Sequence, residues 1–488
     1  MVPSLRIHST NAAAVRGDRD FVLYWMTATR RTGWNFALDR AADWAAELGK
    51  PLLVLEALRC DYPWASDRMH RFVMDGMLDN AAALTGSGIG YYPYVEPRIG
   101  AGRGLLAALA GRAAVVVTDE FPCFFLPAMV EATAARLDVR LEAIDSNGLL
   151  PLRAATRVYS RAFDFRRFLQ QELPNHLTEF PRRSVRLGAG LAPFKGLGKA
   201  VEKRWPRATK KLVAQGTGMQ DLPIDHSVAP VAQRGGFEAA QSELRRFLDD
   251  RLEWYGTERN QPGSGAASAL SAYLHFGHLS SHQVLDAIAR RTQWSPWKIT
   301  DETSGKRRGW WGLDESTEGF LDQLVTWREL GYNFSFHRPD YAEFSSLPEW
   351  AQATLDGHQA DDRPRTYSLA EFEEAATHDE IWNAAQNELR ADGRIHNYLR
   401  MLWGKKILHW TRTPRQALDI MIELNNKYAI DGRNPNSYSG IFWVLGRFDR
   451  AWGPEREVFG KVRYMTSRNT RRKLRLDDYL QRWSRPSA

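Results

Sequence analysis

The sequence predicts two architectures in one chain: a doubly wound, parallel α/β sheet domain followed by an all-helical domain. Short apolar runs alternate with amphipathic helical segments from residue 21 to residue 146. After Phe237 the β signal disappears and long helical segments follow one another. At 488 residues the chain also exceeds what one hydrophobic core usually holds. We therefore expect an α/β domain at 18–150, a connecting region at 151–236 and a helical domain at 237–488.

The strands of the first domain are predicted at 21–26, 51–58, 90–95, 113–118 and 140–144, where apolar residues form short runs. Helices are predicted at 34–48, at 69–84 and between the last two strands. The loop after the first strand reads Thr27-Ala28-Thr29-Arg30-Arg31 and has no G-x-G-x-x-G pattern. An NAD or ATP site of that kind is therefore not expected. The domain is either a scaffold or the holder of an accessory chromophore.

The rest of the chain is predicted to be helical. The connecting region has one predicted helix, at 157–173, and then a passage rich in Pro, Gly and Lys. Beyond it, apolar residues at helical spacing predict helices at 237–254, 281–291, 317–332, 369–374, 381–390, 395–410 and 414–428.

The composition is that of an ordinary globular protein, with 43% hydrophobic and 25% charged residues. No apolar run approaches the ~18–20 residues of a membrane span, so no membrane partner is expected. Cys60 and Cys123 make neither a metal pair nor a disulfide framework. We expect no metal and a cytoplasmic location.

A net charge of +8 points to a polyanionic partner. One basic set lies between Arg182 and Lys211, and a second lies near the C-terminus. Clustering alone fits a solvated surface equally well, but Tyr464, Tyr479 and Trp483 are interleaved with the second set and favour nucleic acid. The members of that second set are Lys461, Arg463, Arg468, Arg471, Arg472, Lys473 and Arg475.

Three tryptophans near the C-terminal end have helical spacing. On the helix predicted at 395–410, one face carries His396, Arg400, Trp403, Ile407 and Trp410. Trp403 and Trp410 are two turns apart, about 10 Å, a separation that an electron can cross by hopping. A tryptophan of the preceding helix, at position 382, can pack against this face. Core packing is the usual role of such residues, so the spacing alone leaves both interpretations open.

The same region resembles the photolyase/cryptochrome family, and most closely its class II cyclobutane pyrimidine dimer photolyases. The matching motifs run through most of the chain in order: YWM at 24–26, VTD at 117–119, SALSAYLHFG at 268–277, WNAAQ at 382–386, RMLWGKKIL at 400–408, DGR at 431–433 and VFGKVRYM at 458–465.

The resemblance implies FAD in the helical domain. It implies that Asp431, paired with Arg400, bonds the polar edge of the flavin and that Asn425 lies near flavin N5. Position 437, where other classes place that asparagine, is Ser. The contacts implied for the phosphate and ribityl groups are Tyr255, Ser268, Leu270 and Ser271. An antenna chromophore, deazaflavin or folate, is possible in the first domain.

The resemblance also implies an electron chain of Trp403 (proximal), Trp382 (medial) and Trp410 (distal). It implies an apolar slot for a flipped-out dimer, formed by Trp327, Met401, Trp443 and Trp452. Gln323 stands one helical turn before Trp327, where the family normally has Glu. Gln keeps the hydrogen bonds of Glu but cannot supply an acid proton.

Three functions follow, and the first is favoured. The first is an enzyme that repairs UV-damaged DNA, double- or single-stranded, by light-driven electron transfer from reduced FAD. It would be a monomer, associated with the nucleoid if bacterial, holding DNA through Lys461, Arg463, Arg471 and Arg472. The second is a cryptochrome-like photoreceptor, which the Gln at position 323 suggests. The third is a DNA-binding flavoprotein that does not depend on light.

Overall fold

The computed structural model describes residues 1–185 and 192–484. The basic set between Arg182 and Lys211 crosses residues 186–191, which lie outside the described residues. The chain divides into two compact units. Unit 1 contains Met1–Thr156, Glu172–Arg245 and Leu270–Pro296, and unit 2 contains Arg157–Gln171, Arg246–Ala269 and Trp297–Ala488. Each unit draws on several stretches of the chain, so the limits 18–150, 151–236 and 237–488 remain a proposal about sequence domains.

Unit 1 is built on one sheet, with the strand order β1-β6-β5-β2-β3-β4 in the described residues. The strands are β1 Ile7–Ser9, β2 Phe21–Met26, β3 Leu52–Leu58, β4 Gly90–Val95, β5 Ala113–Glu120 and β6 Leu141–Asp145. Strands β2 to β6 pair in parallel, which confirms the predicted doubly wound sheet. The sequence did not predict β1, a three-residue edge strand that pairs antiparallel with β6. Three residues are too few to show a period of two.

The helices are numbered in chain order. The first eleven are α1 Phe36–Leu48, α2 Asp67–Leu84, α3 Leu105–Ala110, α4 Leu126–Ala134, α5 Ala162–Glu172, α6 Lys199–Arg204, α7 Lys210–Gln215, α8 Phe237–Arg246, α9 Leu252–Glu258, α10 Ser271–His275 and α11 Ser281–Thr292. They are followed by α12 Glu315–Leu321, α13 Arg328–His337, α14 Glu349–Gly357, α15 Leu369–Glu373, α16 Glu380–Asp392, α17 Asn397–His409, α18 Pro414–Tyr428, α19 Pro435–Val444, α20 Ser467–Lys473 and α21 Asp477–Trp483.

Helices cover both faces of the sheet. Val22, Tyr24 and Met26 pack with α1 on one face. The alternate residues of β2 pack on the other face with α3 and α4. Since side chains alternate along a strand and both faces are buried, the central strands read as continuous apolar runs rather than as alternating patterns.

The loop after β2 is held by a carboxylate from the neighbouring strand β5. The backbone N–H groups of Thr27, Ala28 and Thr29 donate to one Asp119 oxygen at 2.7, 2.8 and 3.0 Å. The Tyr24 hydroxyl donates to the other oxygen at 2.7 Å. An internal carboxylate therefore takes the amides that bind phosphate in the nucleotide-binding members of this architecture.

The regular secondary structure of the described part of unit 2 consists of helices, as predicted. Two predicted helices contain a wider π-helical turn, which splits 237–254 at Phe247–Arg251 and 317–332 at Asp322–Trp327. The helix α19, not predicted, begins at Pro435 with Asn434 as its N-cap, whose side chain accepts from the backbone N–H of Asn436. No helix of the described residues is both long and apolar enough to cross a bilayer.

Candidate functional site

Three indoles form one continuous stack in unit 2. The ring planes of Trp382 on α16 and Trp403 on α17 are nearly parallel, at 4°, with centroids 6.4 Å apart. The rings of Trp382 and Trp410 meet edge to face, with centroids 6.1 Å apart. Trp382 therefore lies between the two tryptophans that the sequence placed about 10 Å apart. All three are buried, with Trp382, Trp403 and Trp410 exposed by 0%, 2% and 3%.

The N-cap of α16 holds two members of this stack in place. The Asp379 carboxylate accepts from the backbone N–H of Trp382 at 3.1 Å. At the other end of α16, Gly393 terminates the helix in the left-handed conformation. The same carboxylate pairs with the Lys406 ammonium at 3.2 Å. That ammonium lies 5.0 Å from the centroid of the Trp410 ring. One acidic cap thus orients the middle indole through the backbone and the outer indole through Lys406.

The two inner indoles donate their N–H groups to neutral acceptors. Trp403 Nε1 donates to the side-chain oxygen of Gln386 at 2.9 Å, and Trp382 Nε1 donates to the Trp403 carbonyl at 3.0 Å. Gln386 is completely buried. Its amide nitrogen donates to the Glu373 carbonyl at 3.3 Å, which fixes which end of the amide faces Trp403.

The outer indole has polar neighbours. The ring centroids of Tyr367 and His378 lie 5.6 and 4.9 Å from that of Trp410. The Tyr367 hydroxyl and His378 Nδ1 are 2.6 Å apart. Burial, assisted by the nearby Arg365 charge, lowers the pKa of His378, so its imidazole is neutral at pH 7.

A second group of polar side chains lies where α17, α18 and α19 pack together. Arg400 Nη2 donates to Asp431 Oδ1 at 3.3 Å, and the two side chains are 16% and 17% exposed. The pair is therefore mostly buried. Asn425 is buried and donates to the Ser437 hydroxyl at 2.8 Å. The asparagine expected near flavin N5 and the serine at position 437 thus touch each other.

The residues predicted for the dimer slot fall into two groups. Trp443 and Trp452 share one cation, because the Arg463 guanidinium lies 5.5 Å from the first ring centroid and 4.3 Å from the second. Gln323 and Trp327 are partly exposed and lie in the π-helical turn, a distortion often found at functional sites. Met401, also partly exposed, lies on α17. Within residues 192–484, no ring contact joins Trp327 to the Trp443 and Trp452 pair.

The predicted DNA-binding residues have different environments. Arg463 packs on indole rings, as described above. Lys461 pairs with Glu455 at 3.4 Å, and Arg471 pairs with Glu380. Arg472 is exposed and forms no ion pair with a described residue. Neighbouring acids therefore neutralise part of the basic set that the sequence showed.

The chain was compared with known proteins, and no family model matches it. A deoxyribodipyrimidine photo-lyase of Methanothermobacter thermautotrophicus is 36% identical over 485 residues, which is 99% of this chain and 98% of that protein. Proteins of the same name from Oryza sativa and Arabidopsis thaliana are 32% and 31% identical, over 94% of this chain and 86% and 88% of their own lengths. The chain belongs to the deoxyribodipyrimidine photo-lyase family.

Solved structures give the same fold for this photo-lyase family member. A class III photolyase from Agrobacterium tumefaciens superposes with a TM-score of 0.69 at 18% identity, over 97% of this chain and 87% of that chain. A cryptochrome from Synechocystis sp. PCC6803 gives a TM-score of 0.68 at 15% identity, over 95% and 88%. The architecture of an α/β unit and a helical unit is therefore confirmed.

The photo-lyase family implies FAD. The polar side chains around α17 and α18 include hydrogen-bond donors that suit this cofactor. Arg400 Nε is buried and has no hydrogen-bond partner in the described part of the chain. Tyr255 is buried against Phe247 and Phe320, and this burial raises the pKa of its hydroxyl, which stays a neutral donor. Of the remaining predicted contacts, Ser268 belongs to unit 2, whereas Leu270, buried, and Ser271, exposed, belong to unit 1.

Two polar residues of this photo-lyase were given no role by sequence reasoning. Gln386 follows Trp382 by four residues, so the pattern of α16 places both on one face. A polar residue on an apolar helical face was the available indication. The sequence gave no indication for Lys405, since two adjacent lysines are typical of an exposed surface. In the structure Lys405 is completely buried, and its ammonium donates to the Val444 carbonyl.

Proposed function

We propose that the chain is a light-driven DNA-repair flavoprotein that splits cyclobutane pyrimidine dimers, with class II character. The observation that carries this proposal is the unbroken indole stack. It begins at Trp403, one helical turn after Arg400 on α17, and runs through Trp382 to Trp410. Core packing alone does not require three indoles in series beside a mostly buried ion pair and a buried asparagine.

The polar group on α17 and α18 would hold FAD, which supplies the light-driven electron for splitting the dimer when it is bound and reduced. Asp431, held by Arg400, offers a carboxylate to the polar edge of the flavin. Asn425, oriented by Ser437, would lie near flavin N5. Tyr255, Ser268, Leu270 and Ser271 are proposed for the phosphate and ribityl groups. Trp403, Trp382 and Trp410 would supply electrons that restore the reduced state.

The lesion would bind in a slot of aromatic side chains. We assign Trp327, Met401, Trp443 and Trp452 to its walls, and Gln323 to a hydrogen bond with the dimer. Stacking on an aromatic side chain contributes roughly 1–3 kcal/mol per base. Extruding a base costs a few kcal/mol and less at a damaged site, so two such contacts offset it. Lys461, Arg463, Arg471 and Arg472 would hold the DNA backbone in single- or double-stranded UV-damaged DNA.

An antenna chromophore of deazaflavin or folate type is proposed for unit 1. Parallel sheets bind ligands at their carboxyl edge, near the point where the strand order reverses. In this sheet that point lies between β2 and β5. The segments after β3 and β5 carry partly exposed rings in contact with one another, and Trp64 and Phe124 have φ of 63°. Strained, bulky residues of this kind occur at ligand sites. The contacting rings are Tyr62, Trp64, Phe124 and Phe125.

The deciding experiment illuminates the FAD-reduced protein with DNA that contains cyclobutane dimers. We expect dimers to disappear in the light and to persist in the dark. With oxidised FAD and an external reductant, Trp403→Phe should lose most of its photoreduction, whereas Trp254→Phe, at an exposed site, should keep it. Full photoreduction in Trp403→Phe would point instead to the light-independent flavoprotein. A reduced protein that leaves every dimer intact contradicts the repair function.

The second candidate is a cryptochrome-like photoreceptor, and the specific observation in its favour is Gln323. Gln323→Glu restores the acid that can share a proton with the dimer. If repair is the function, this variant should repair at least as fast as the wild type. If both proteins photoreduce normally and neither repairs, the photoreceptor is favoured. A cytoplasmic site of action is proposed in either case, since Cys60 and Cys123 form no disulfide with each other.

A further inference from the structure

The two inner indoles of the stack have acceptors that are too weakly basic to take a proton. Trp403 donates to the Gln386 amide oxygen and Trp382 donates to a backbone carbonyl. The Gln386 amide nitrogen donates to the backbone carbonyl of Glu373, a residue whose carboxylate has other donors. It accepts from Lys427 at 2.7 Å and from the Tyr428 hydroxyl at 2.6 Å, and only the Glu373 backbone carbonyl faces Gln386. The His378 ring and the Lys406 ammonium lie beside Trp410, and Asp379 pairs with Lys406 and also accepts from the backbone N–H of Trp382.

This arrangement matters because oxidation makes the indole N–H far more acidic, about as acidic as a carboxylic acid. When Trp403 gives one electron to the bound flavin, it becomes a radical cation. If its N–H proton then moves to a neighbouring base, a neutral radical remains, and refilling it requires an electron together with a proton. If the proton stays, one electron from Trp382 restores the neutral indole in a single step. A buried amide oxygen at 2.9 Å fixes the N–H without removing its proton.

We propose that Gln386 is a positioning residue of the electron path: it fills the acceptor position of the Trp403 N–H with a group too weakly basic to take the proton, so oxidised Trp403 keeps its proton until Trp382 supplies an electron. The inference rests on the proposed electron chain and deepens it. Position 386 is completely buried and its amide nitrogen is used by Glu373, so the side chain has a fixed direction. The positive charge left by the lost electron thus moves outward as an indole radical cation, from Trp403 through Trp382 towards Trp410.

The test replaces the amide oxygen by a base of the same shape, in Gln386→Glu. Radical spectra after a light flash distinguish the indole radical cation from the neutral radical. The wild type should show the cation on the two inner indoles across the whole pH range. In Gln386→Glu, the ionised carboxylate should take the Trp403 proton, so a neutral radical should persist at Trp403 and photoreduction should fall several-fold. Burial raises the pKa of a carboxyl group, so this defect should appear as pH rises and vanish in acid.

Two further variants separate this role from a structural one. Gln386→Met removes the acceptor without adding a base, so the cation should be retained. In this variant the resonance Raman band that reports indole N–H hydrogen bonding should shift to a weaker hydrogen bond, a readout that does not depend on activity. Near-ultraviolet circular dichroism checks that each variant keeps its packing. Asn387→Asp places a carboxylate one residue further, where the wild-type side chain bonds the Trp483 carbonyl, and serves as the matched control.

The outcomes are distinct. A radical cation of unchanged lifetime in folded Gln386→Glu at every pH overturns the role of Gln386, while loss of photoreduction in Trp403→Phe would still uphold the chain. Unchanged photoreduction in Trp403→Phe contradicts the electron chain itself. An equal defect in Gln386→Glu and Gln386→Met would show that the amide acts through packing, and it also overturns the proposal.

Discussion

Lys405 shows how much a single buried charge can affect this protein. Its side chain is completely buried, and its ammonium donates to the Val444 carbonyl at the end of α19 and lies 5.7 Å from the centroid of the Trp443 ring. Burial lowers the pKa of Lys405 to about 7; Asp449 opposes this shift and Arg463 adds to it. A charge that is costly to bury therefore stands directly behind a proposed wall of the lesion slot.

The pH dependence of stability follows from this pKa. Above about pH 7 the folded protein releases the Lys405 proton, while the unfolded chain keeps it up to about pH 10.4. In that window the unfolded state binds more protons, so the contribution of Lys405 to the free energy of unfolding rises with pH, by up to about 1.4 kcal/mol per pH unit. Lys405→Met lacks this slope. Urea unfolding of both proteins should give a wild-type-minus-variant difference that rises from neutral to alkaline pH and is flat in acid.

The control for this measurement is Lys473→Met, which removes one exposed ammonium from α20. Its difference from the wild type should show no comparable rise with pH. The lost hydrogen bond to Val444 shifts the Lys405→Met difference by a constant and does not change its slope. A flat difference for Lys405→Met would mean that Lys405 is not buried as a titrating charge.

At the scale of elements, α17 packs unusually closely against its neighbours at Gly404. A Cβ at this position would lie 2.6 Å from Val444 Cγ2 on α19 and 3.0 Å from Met421 Sδ on α18. A valine side chain branches at Cβ and has little freedom to move away. The glycine therefore allows three helices to meet one residue after Trp403 and one before Lys405.

Gly404→Ala should destabilise the protein even though alanine favours helices. Overpacking of this kind costs about 1–3 kcal/mol, and the better helix propensity of Ala returns roughly 1 kcal/mol. We expect a lower thermal midpoint of unfolding, measured by circular dichroism. Gly319→Ala, at a helical glycine whose added Cβ meets no atom within 4 Å, should be neutral or stabilising. Equal stability of Gly404→Ala and the wild type would show that α18 and α19 can move apart freely.

Element scale is also where the sequence was most and least informative. The strands at 21–26 and 90–95 and the helix at 414–428 have the predicted bounds, because apolar runs and flanking Pro or Gly mark them clearly. The π-helical turn Asp322–Trp327 left no trace in the pattern, since one extra residue per turn hardly alters an apolar period. For the site, helical spacing put Trp403 and Trp410 on one face. The contact of Trp382 with both depends on how α16 packs on α17, which no local pattern contains.

At the scale of the whole molecule, the net charge of +8 overstates the charge free to meet DNA. Arg471 and Arg472 are adjacent and both exposed, but Arg471 pairs with Glu380. A guanidinium that is already paired with a carboxylate must share or give up that partner to bind a phosphate. It therefore contributes less to the affinity for DNA than an unpaired guanidinium does.

This difference gives a matched pair of variants. Arg472→Ala should weaken binding of dimer-containing DNA evenly across sequences and reduce the slope of log K against log salt by about one. Arg471→Ala should do less, and Glu380→Gln, which frees Arg471, should strengthen binding. Fluorescence anisotropy of labelled DNA over a series of salt concentrations measures all three. Equal effects of the two arginine variants would contradict the assignment of Arg471 to Glu380.

The Asp119 carboxylate has a consequence for anion binding by unit 1. An anion attached to the fold sits on the three amides at the head of the sheet, where a diffusing phosphate would have to displace it and also break its bond to Tyr24. A tethered competitor of this kind is present at a very high local concentration. The three backbone N–H groups of this loop are thus occupied by a side chain of the fold itself. Replacing Asp119 by a residue without a carboxylate would leave these three N–H groups without their acceptor and open to an anion from solution.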